Sequence, residues 1–174
     1  MIFAGGGCKL PAPFLYPGGK MKLSKEEVYQ KAQDLIGRCQ TAVLCTLHIT
    51  GAPDARAMLN LHNPGVFPDA QARMPKNKFF TFMTTNFNSE KISQIRANPK
   101  AALYYSDGKT FEGVTVIGEI EIVKDQHLKN EFWREDWLEY YPGGKASEDY
   151  TLLRFTPKIY KFYDGAFNVW KYEI

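Results

Sequence analysis

The stretch at residues 110–123 constrains the fold of this chain most, because its apolar residues recur at every second position. Val114, Val116, Gly118, Ile120 and Ile122 fall on one face, and Thr115, Ile117, Glu119 and Glu121 fall on the other. That is the period of a half-buried β-strand, not of a helix. Asp107-Gly108 lies just before it. Both residues tolerate positive φ, so residues 101–106 are predicted to pair back on it as a hairpin.

The remaining segments extend the same pattern. Strands are predicted at 41–49 and 55–62 about a turn at 50–54, at 78–85, and at 151–155 and 158–164 about Thr156-Pro157. Ser24-Lys-Glu-Glu27 is a capping box, in which the serine hydroxyl and Glu27 each satisfy an orphaned backbone amide. It opens a helix with Val28, Ala32, Leu35 and Ile36 on one side, ending near Gly37. A short helix at 88–97 stops at Asn98-Pro99, and a longer one is predicted at 125–140. The loop at 63–77 carries three prolines, and loops of that length tend to be functional. Six or seven strands without regular βαβ alternation predict a mainly β fold, an antiparallel barrel with appended helices.

Composition narrows the function classes. With 174 residues, 44% hydrophobic and 24% charged, the chain suits one globular domain with a buried core. A net charge of +3 from scattered lysines argues against nucleic acid as a partner. No stretch approaches the roughly 20 apolar residues that cross a bilayer. Cys8, Cys39 and Cys45 form no C-x-x-C pair, and His48, His62 and His127 stand apart. No metal site is expected, and a reducing, cytoplasmic setting follows. Residues 1–20 are rich in Gly and Pro without the pattern of a signal peptide. Either Met21 is the natural first residue or the segment before it is a loosely ordered extension; residues 1–22 are read as poorly ordered and residues 23–174 as the folded domain.

Chemistry concentrates at residues 79–99. An apolar strand ends in Thr84 and Thr85, and a helix opens shortly after, offering free backbone amides, the Ser89 hydroxyl and the Lys91 ammonium. A helix N-terminus carries about half a positive charge and holds a phosphate readily. Arg56, on the 55–62 strand, adds a bidentate phosphate contact if that strand is adjacent. On residue types alone the plainer reading, a capped surface helix with solvated charges, is preferred.

The order Thr-Asn-x-x-Ser-x-Lys, amphipathic turn, Asn-Pro, strand, and a second strand ending Val-x-Val-Ile-Gly-x-x-Glu resembles the pyridoxamine 5'-phosphate oxidase-like flavin-binding split barrels, above all their general-stress-protein branch. The likeness runs from about Leu23 to Asp164. It implies a six-stranded antiparallel Greek-key split β-barrel and a homodimer with one FMN in each interface cleft. It also implies a role in passing hydride or electrons to a small-molecule redox partner. By the same resemblance, the backbone of Arg56, Ala57, Met58 and Leu59 lines the isoalloxazine ring. Thr84, Thr85, Ser89 and Lys91 take the phosphate, and Tyr163 packs by the ring from the partner subunit.

The departures from that family matter too. Leu61 stands where true oxidases close the ring-lining strand with Lys, Glu90 where they carry a base, and Gly113 where they carry Gln. Their substrate-phosphate segment, Arg-Pro-x-x-Ser, is absent, and residues 133–144 take its place. Oxidation of vitamin B6 is therefore not expected. No residue stands out as a catalytic acid or base, and a flavin-storing stress protein without turnover is the alternative reading. Trp133, Trp137, Tyr140 and Tyr141 form a helical aromatic stripe, expected to pack on the barrel or partner. His62, after the ring-lining strand, is the one histidine to test as a proton donor.

Overall fold

The computed structural model describes residues 23–174; the predicted extension at 1–22 lies outside them. Helix α1 (Lys25–Arg38) starts at the capping box, with Ser24 Oγ accepting from the Glu27 amide at 3.2 Å and Glu27 accepting from the Ser24 amide at 2.8 Å. Seven strands follow: β1 (Thr41–Leu47), β2 (Pro53–Leu59), β3 (Thr81–Asn86), β4 (Lys100–Ser106), β5 (Glu112–Ile122), β6 (Tyr150–Asp164) and β7 (Val169–Glu173). Helices α2 (Glu90–Ala97) and α3 (Gln126–Phe132) complete the set with two short 3-10 turns. No helix among the described residues is long and apolar enough to cross a membrane.

All pairings are antiparallel, in the order β2-β1-β4-β5-β6-β3, with β7 also on β6. The sheet does not close. Its end strands β2 and β3 approach within 8 Å, Cα to Cα, without a ladder between them. One face buries Leu44, Leu103, Tyr105, Val114, Val116, Ile120, Phe155, Tyr160 and Phe162, and α1 supplies Val28, Ala32, Leu35 and Ile36 against them. Helix α2 adds Ile92 and Ile95 to that core. A second core lies across β3 and β6, where Phe132, Trp137 and Tyr141 pack on Tyr150 and Leu152 with Leu61, Phe67 and Met74.

Three expectations are corrected. Residues 150–164 form one strand, not two, because Pro157 falls at a β-bulge where Gly118 pairs Pro157 while Ile117 pairs Ile159. On the edge of β6 opposite β5, this is also the gap between the start of β3, where Thr81 pairs with Phe155, and the end of β7, where Glu173 pairs with Ile159. A missing N–H is tolerated at such a point. The predicted helix at 125–140 breaks at Trp133, whose backbone is extended (φ −65, ψ 142), and resumes as a 3-10 turn at Glu135–Glu139. The break brings Phe132 and Trp137 into one core, whereas Tyr140 stays exposed. Strand β7 is an addition to the predicted set: it pairs with β6 and lays half-buried Trp170 and Tyr172 against Phe162 and Tyr160.

Candidate functional site

Helix α2 is entered through Ser89, whose extended backbone (φ −71, ψ 143) makes it the N-cap, so the helix starts two residues after the predicted 88. Its hydroxyl makes no capping bond and instead sits 3.2 Å from Thr85 Oγ1. Lys91 Nζ donates to the same Thr85 oxygen at 2.9 Å. Thr85 is buried at the end of β3, so one strand end and one helix start fix three polar groups together. The Lys91 ammonium is depressed from its ordinary pKa, first by burial and next by the Arg56 charge. Among the described residues no carboxylate lies within ion-pair distance of it. The Glu90 and Lys91 amides, which begin the helix, likewise find no acceptor there.

Arg56 stands beside this cluster but is engaged elsewhere. It pairs with Asp54 at 2.6 Å and donates to Gln94 Oε1 at 2.9 Å, to Thr46 Oγ1 and to the Leu44 carbonyl. Gln94 is buried and donates to Asp54 Oδ2 at 2.8 Å. Asp54 is held below the usual carboxylate range, chiefly by that Gln94 bond, with desolvation opposing it and the Arg56 charge adding to it. Sequence reading missed Gln94 and Asp54. The available signal was a glutamine between Ile92 and Ile95 on the buried face of a short helix.

The other expected residues divide by strand alternation. Thr84 points away from Thr85, toward the second core and beside Tyr141. Met58 is buried in the main core, while Ala57 and Leu59 face outward. Strand β2 is terminal, so one of its backbone edges has no ladder partner. Tyr163 pairs with Gly113 and Val169. It lies twelve residues along β6 from Thr151, the partner of Thr85, which is about 40 Å of strand. No hydrogen bond among the described residues joins Tyr163 to the Thr85 cluster.

His62 is a core histidine. It is 1% exposed, its Nε2 lies 2.7 Å from the Phe80 carbonyl, and burial pushes its pKa down to about 4. The ring stays neutral in the folded chain while the unfolded chain takes up a proton below about 6.5. Its stability contribution is thus full above about pH 6.5 and falls as the pH drops toward about 4, by roughly 3 kcal/mol in all. Urea unfolding across that window is expected to show this loss, and His62→Gln to remove that part of the slope.

At residues 133–144, which take the place of the substrate-phosphate segment of true oxidases, an open groove of about 550 Å³ is lined by Asp69, Arg73, Trp133, Arg134, Glu135 and Asp136. Arg134 is bound there by Asp136 at 2.9 Å and Asp69 at 3.4 Å.

A family model described as "Pyridoxamine 5'-phosphate oxidase" matches residues 28–163. Among curated proteins no sequence matches. A Clostridium acetobutylicum protein related to general stress protein 26 of the pyridoxinephosphate oxidase family superposes with a TM-score of 0.72 at 24% identity, covering 87% of this chain and 97% of that one. General stress protein 26 from Bacillus anthracis gives 0.63 at 20% identity, with 84% and 98% covered. A heme binding protein from Mycobacterium smegmatis gives 0.62 at 12% identity, with 87% and 60% covered. At these identities the likeness is one of fold.

Proposed function

The chain belongs to the pyridoxamine 5'-phosphate oxidase family, and on that premise we propose that it is a homodimeric FMN-binding flavoprotein that passes hydride or electrons between FMN and a small molecule. The observation that carries this reading is the desolvated Lys91 ammonium. It has no carboxylate partner among the described residues and sits with two hydroxyls beside the open amides of a helix N-terminus. A phosphomonoester dianion matches that donor set in charge and geometry. In this reading Lys91, Ser89 and Thr85 hold the phosphate, with Arg56 beside them. The unpaired edge of β2, from Arg56 to Leu59, supplies backbone groups to the isoalloxazine. Bound FMN would supply the redox chemistry, and the protein would position it and tune its electrostatics.

The fold is then a six-stranded Greek-key split barrel of β1–β6, split between β2 and β3. Its outer face supports a second copy as the partner. The cross-strand row Ala55, Cys45, Ala102, Ile117 and Ile159 carries no charge and crosses five strands. Leu59 and Tyr104 stand exposed near it at 48% and 40%. A contiguous apolar face of this kind marks an interface. The separation of Tyr163 from the Thr85 cluster along β6 suits a tyrosine supplied to the partner's cleft.

One observation favours storage of flavin without turnover: Trp137 and Tyr141, in the region that replaces the substrate-phosphate segment, are buried in the second core. Arg134 there is already paired, which also argues against pyridoxamine 5'-phosphate as substrate. Protein purified and incubated with FMN is expected to sediment as a dimer with one flavin per chain; a colourless monomer overturns the reading. NADH or NADPH added without oxygen then separates enzyme from store. Bleaching of the flavin band indicates electron transfer, and persistent colour across a panel of reductants indicates storage.

A further inference from the structure

Resting on the phosphate site just proposed, we infer that Asp54 is a tethered counter-ion on Arg56, which an incoming phosphomonoester must displace, so that Asp54 sets how strongly the site prefers phosphorylated ligands. The two members of the Asp54–Arg56 pair are held unequally. Arg56 is fixed by Gln94 Oε1, by Thr46 Oγ1 and by the Leu44 carbonyl, and its side chain is 20% exposed. Gln94 is a positioning residue here: its buried amide accepts from Arg56 and from Thr46, and donates to Asp54 and, at 3.3 Å, to Glu90. Among the described residues Asp54 bonds only to Arg56 and Gln94, and its side chain is 39% exposed. It lies at the start of β2, next to the β1–β2 turn where Gly51 takes φ +84. Between the two, Asp54 is the group free to swing into water.

Charge gives the consequence. Arg56 and Lys91 repel one another, and the Asp54 carboxylate acts on both. Glu90 shares its Oε1 between His48 and Gln94, both at 3.3 Å, so displacing Asp54 raises the net charge of Arg56, Lys91, Asp54 and Glu90 from zero to one positive, which suits a phosphate dianion better. A ligand without phosphate has no means of displacing the carboxylate and gains nothing from Arg56.

Asp54→Asn tests this, because Asn keeps an acceptor for Gln94 Nε2 while removing the charge. Titrations of wild type and variant with FMN and with riboflavin are expected to show FMN binding tightened about tenfold and riboflavin unchanged. Inorganic phosphate is expected to compete better with FMN in the variant. Asp54→Glu, which restores the charge, is expected to return FMN affinity toward wild type. FMN affinity that is unchanged or weakened in a folded Asp54→Asn protein overturns the inference, provided that Lys91→Ala still separates FMN from riboflavin. If wild type binds FMN and riboflavin alike, the phosphate site itself fails and this inference with it.

Discussion

Replacing Lys91 and Ser89 together by alanine is expected to weaken FMN about 100-fold while leaving riboflavin within about threefold, the two ligands differing only in the phosphate. The size follows from what is removed. Lys91 supplies the ammonium nearest the helix N-terminus and is already stripped of part of its water, so no strong solvation is lost when a phosphate arrives. Ser89 supplies a hydroxyl that makes no capping bond, so its loss leaves the helix start intact where a capping serine would not. Lys91 Nζ bonds only to Thr85 Oγ1 among the described residues, and Thr85 keeps its place through its ladder with Thr151. The double variant should therefore fold as the parent does, with the same melting temperature or one slightly higher, since an unpaired half-buried cation has been removed. Fluorescence titration with both ligands checks the result. Equal losses for FMN and riboflavin would mean that the cluster supports the fold or the ring, not the phosphate.

How much of this was legible beforehand depends on whether the cause is local. The alternation at 110–123 identified β5, and the capping box identified the first turn of α1, because both are written in neighbouring residues. The Thr85, Ser89 and Lys91 cluster was legible for the same reason: a strand end and a helix start four residues apart bring the three side chains together. Thr84 was grouped with Thr85 by adjacency, although a period of two sends successive side chains to opposite faces. Pro157 reads as a strand break in the sequence, and only the pairing of β6 with β3, β5 and β7 reveals that its missing N–H falls at a bulge. Strand β7 is five residues long, and its half-buried Trp170 and Tyr172 gain their packing on Phe162 and Tyr160 only through the pairing with β6. The network of Asp54, Arg56 and Gln94 joins β2 to α2 over 40 residues. It depends on β1 lying between β2 and β4 and on α2 packing against β1, an arrangement that follows from the tertiary fold and not from any motif.

The same bulge provides the largest expected effect on stability. Gly118→Ala is expected to destabilise the fold by about 4 kcal/mol, or roughly 10 °C in Tm for a chain of this size. A Cβ at Gly118 would overlap the Thr156 carbonyl and come within 2.9 Å of Pro157 Cα. Both obstacles are backbone, and neither strand can yield without breaking ladder bonds. Gly113 lies on the same strand, equally buried, and provides the control. A Cβ there meets the ring and hydroxyl of Tyr104, 2.7 Å away at the nearest, and that partly exposed side chain can turn aside. Gly113→Ala is expected to cost about 1 kcal/mol or less. Denaturant unfolding of the two variants measures the difference, with equal m-values as the check that each still unfolds as one unit. If the two cost the same, the close approach of β5 to β6 does not constrain the strand. The consequence reaches the candidate site, because the bulge joins the half of β6 that carries β3 and Thr85 to the half that carries Tyr163 and β7. A folded Gly118→Ala protein should therefore bind FMN more weakly than the parent even at temperatures well below its melting point, because it disturbs the alignment of the two ends of β6 as well as the core between them.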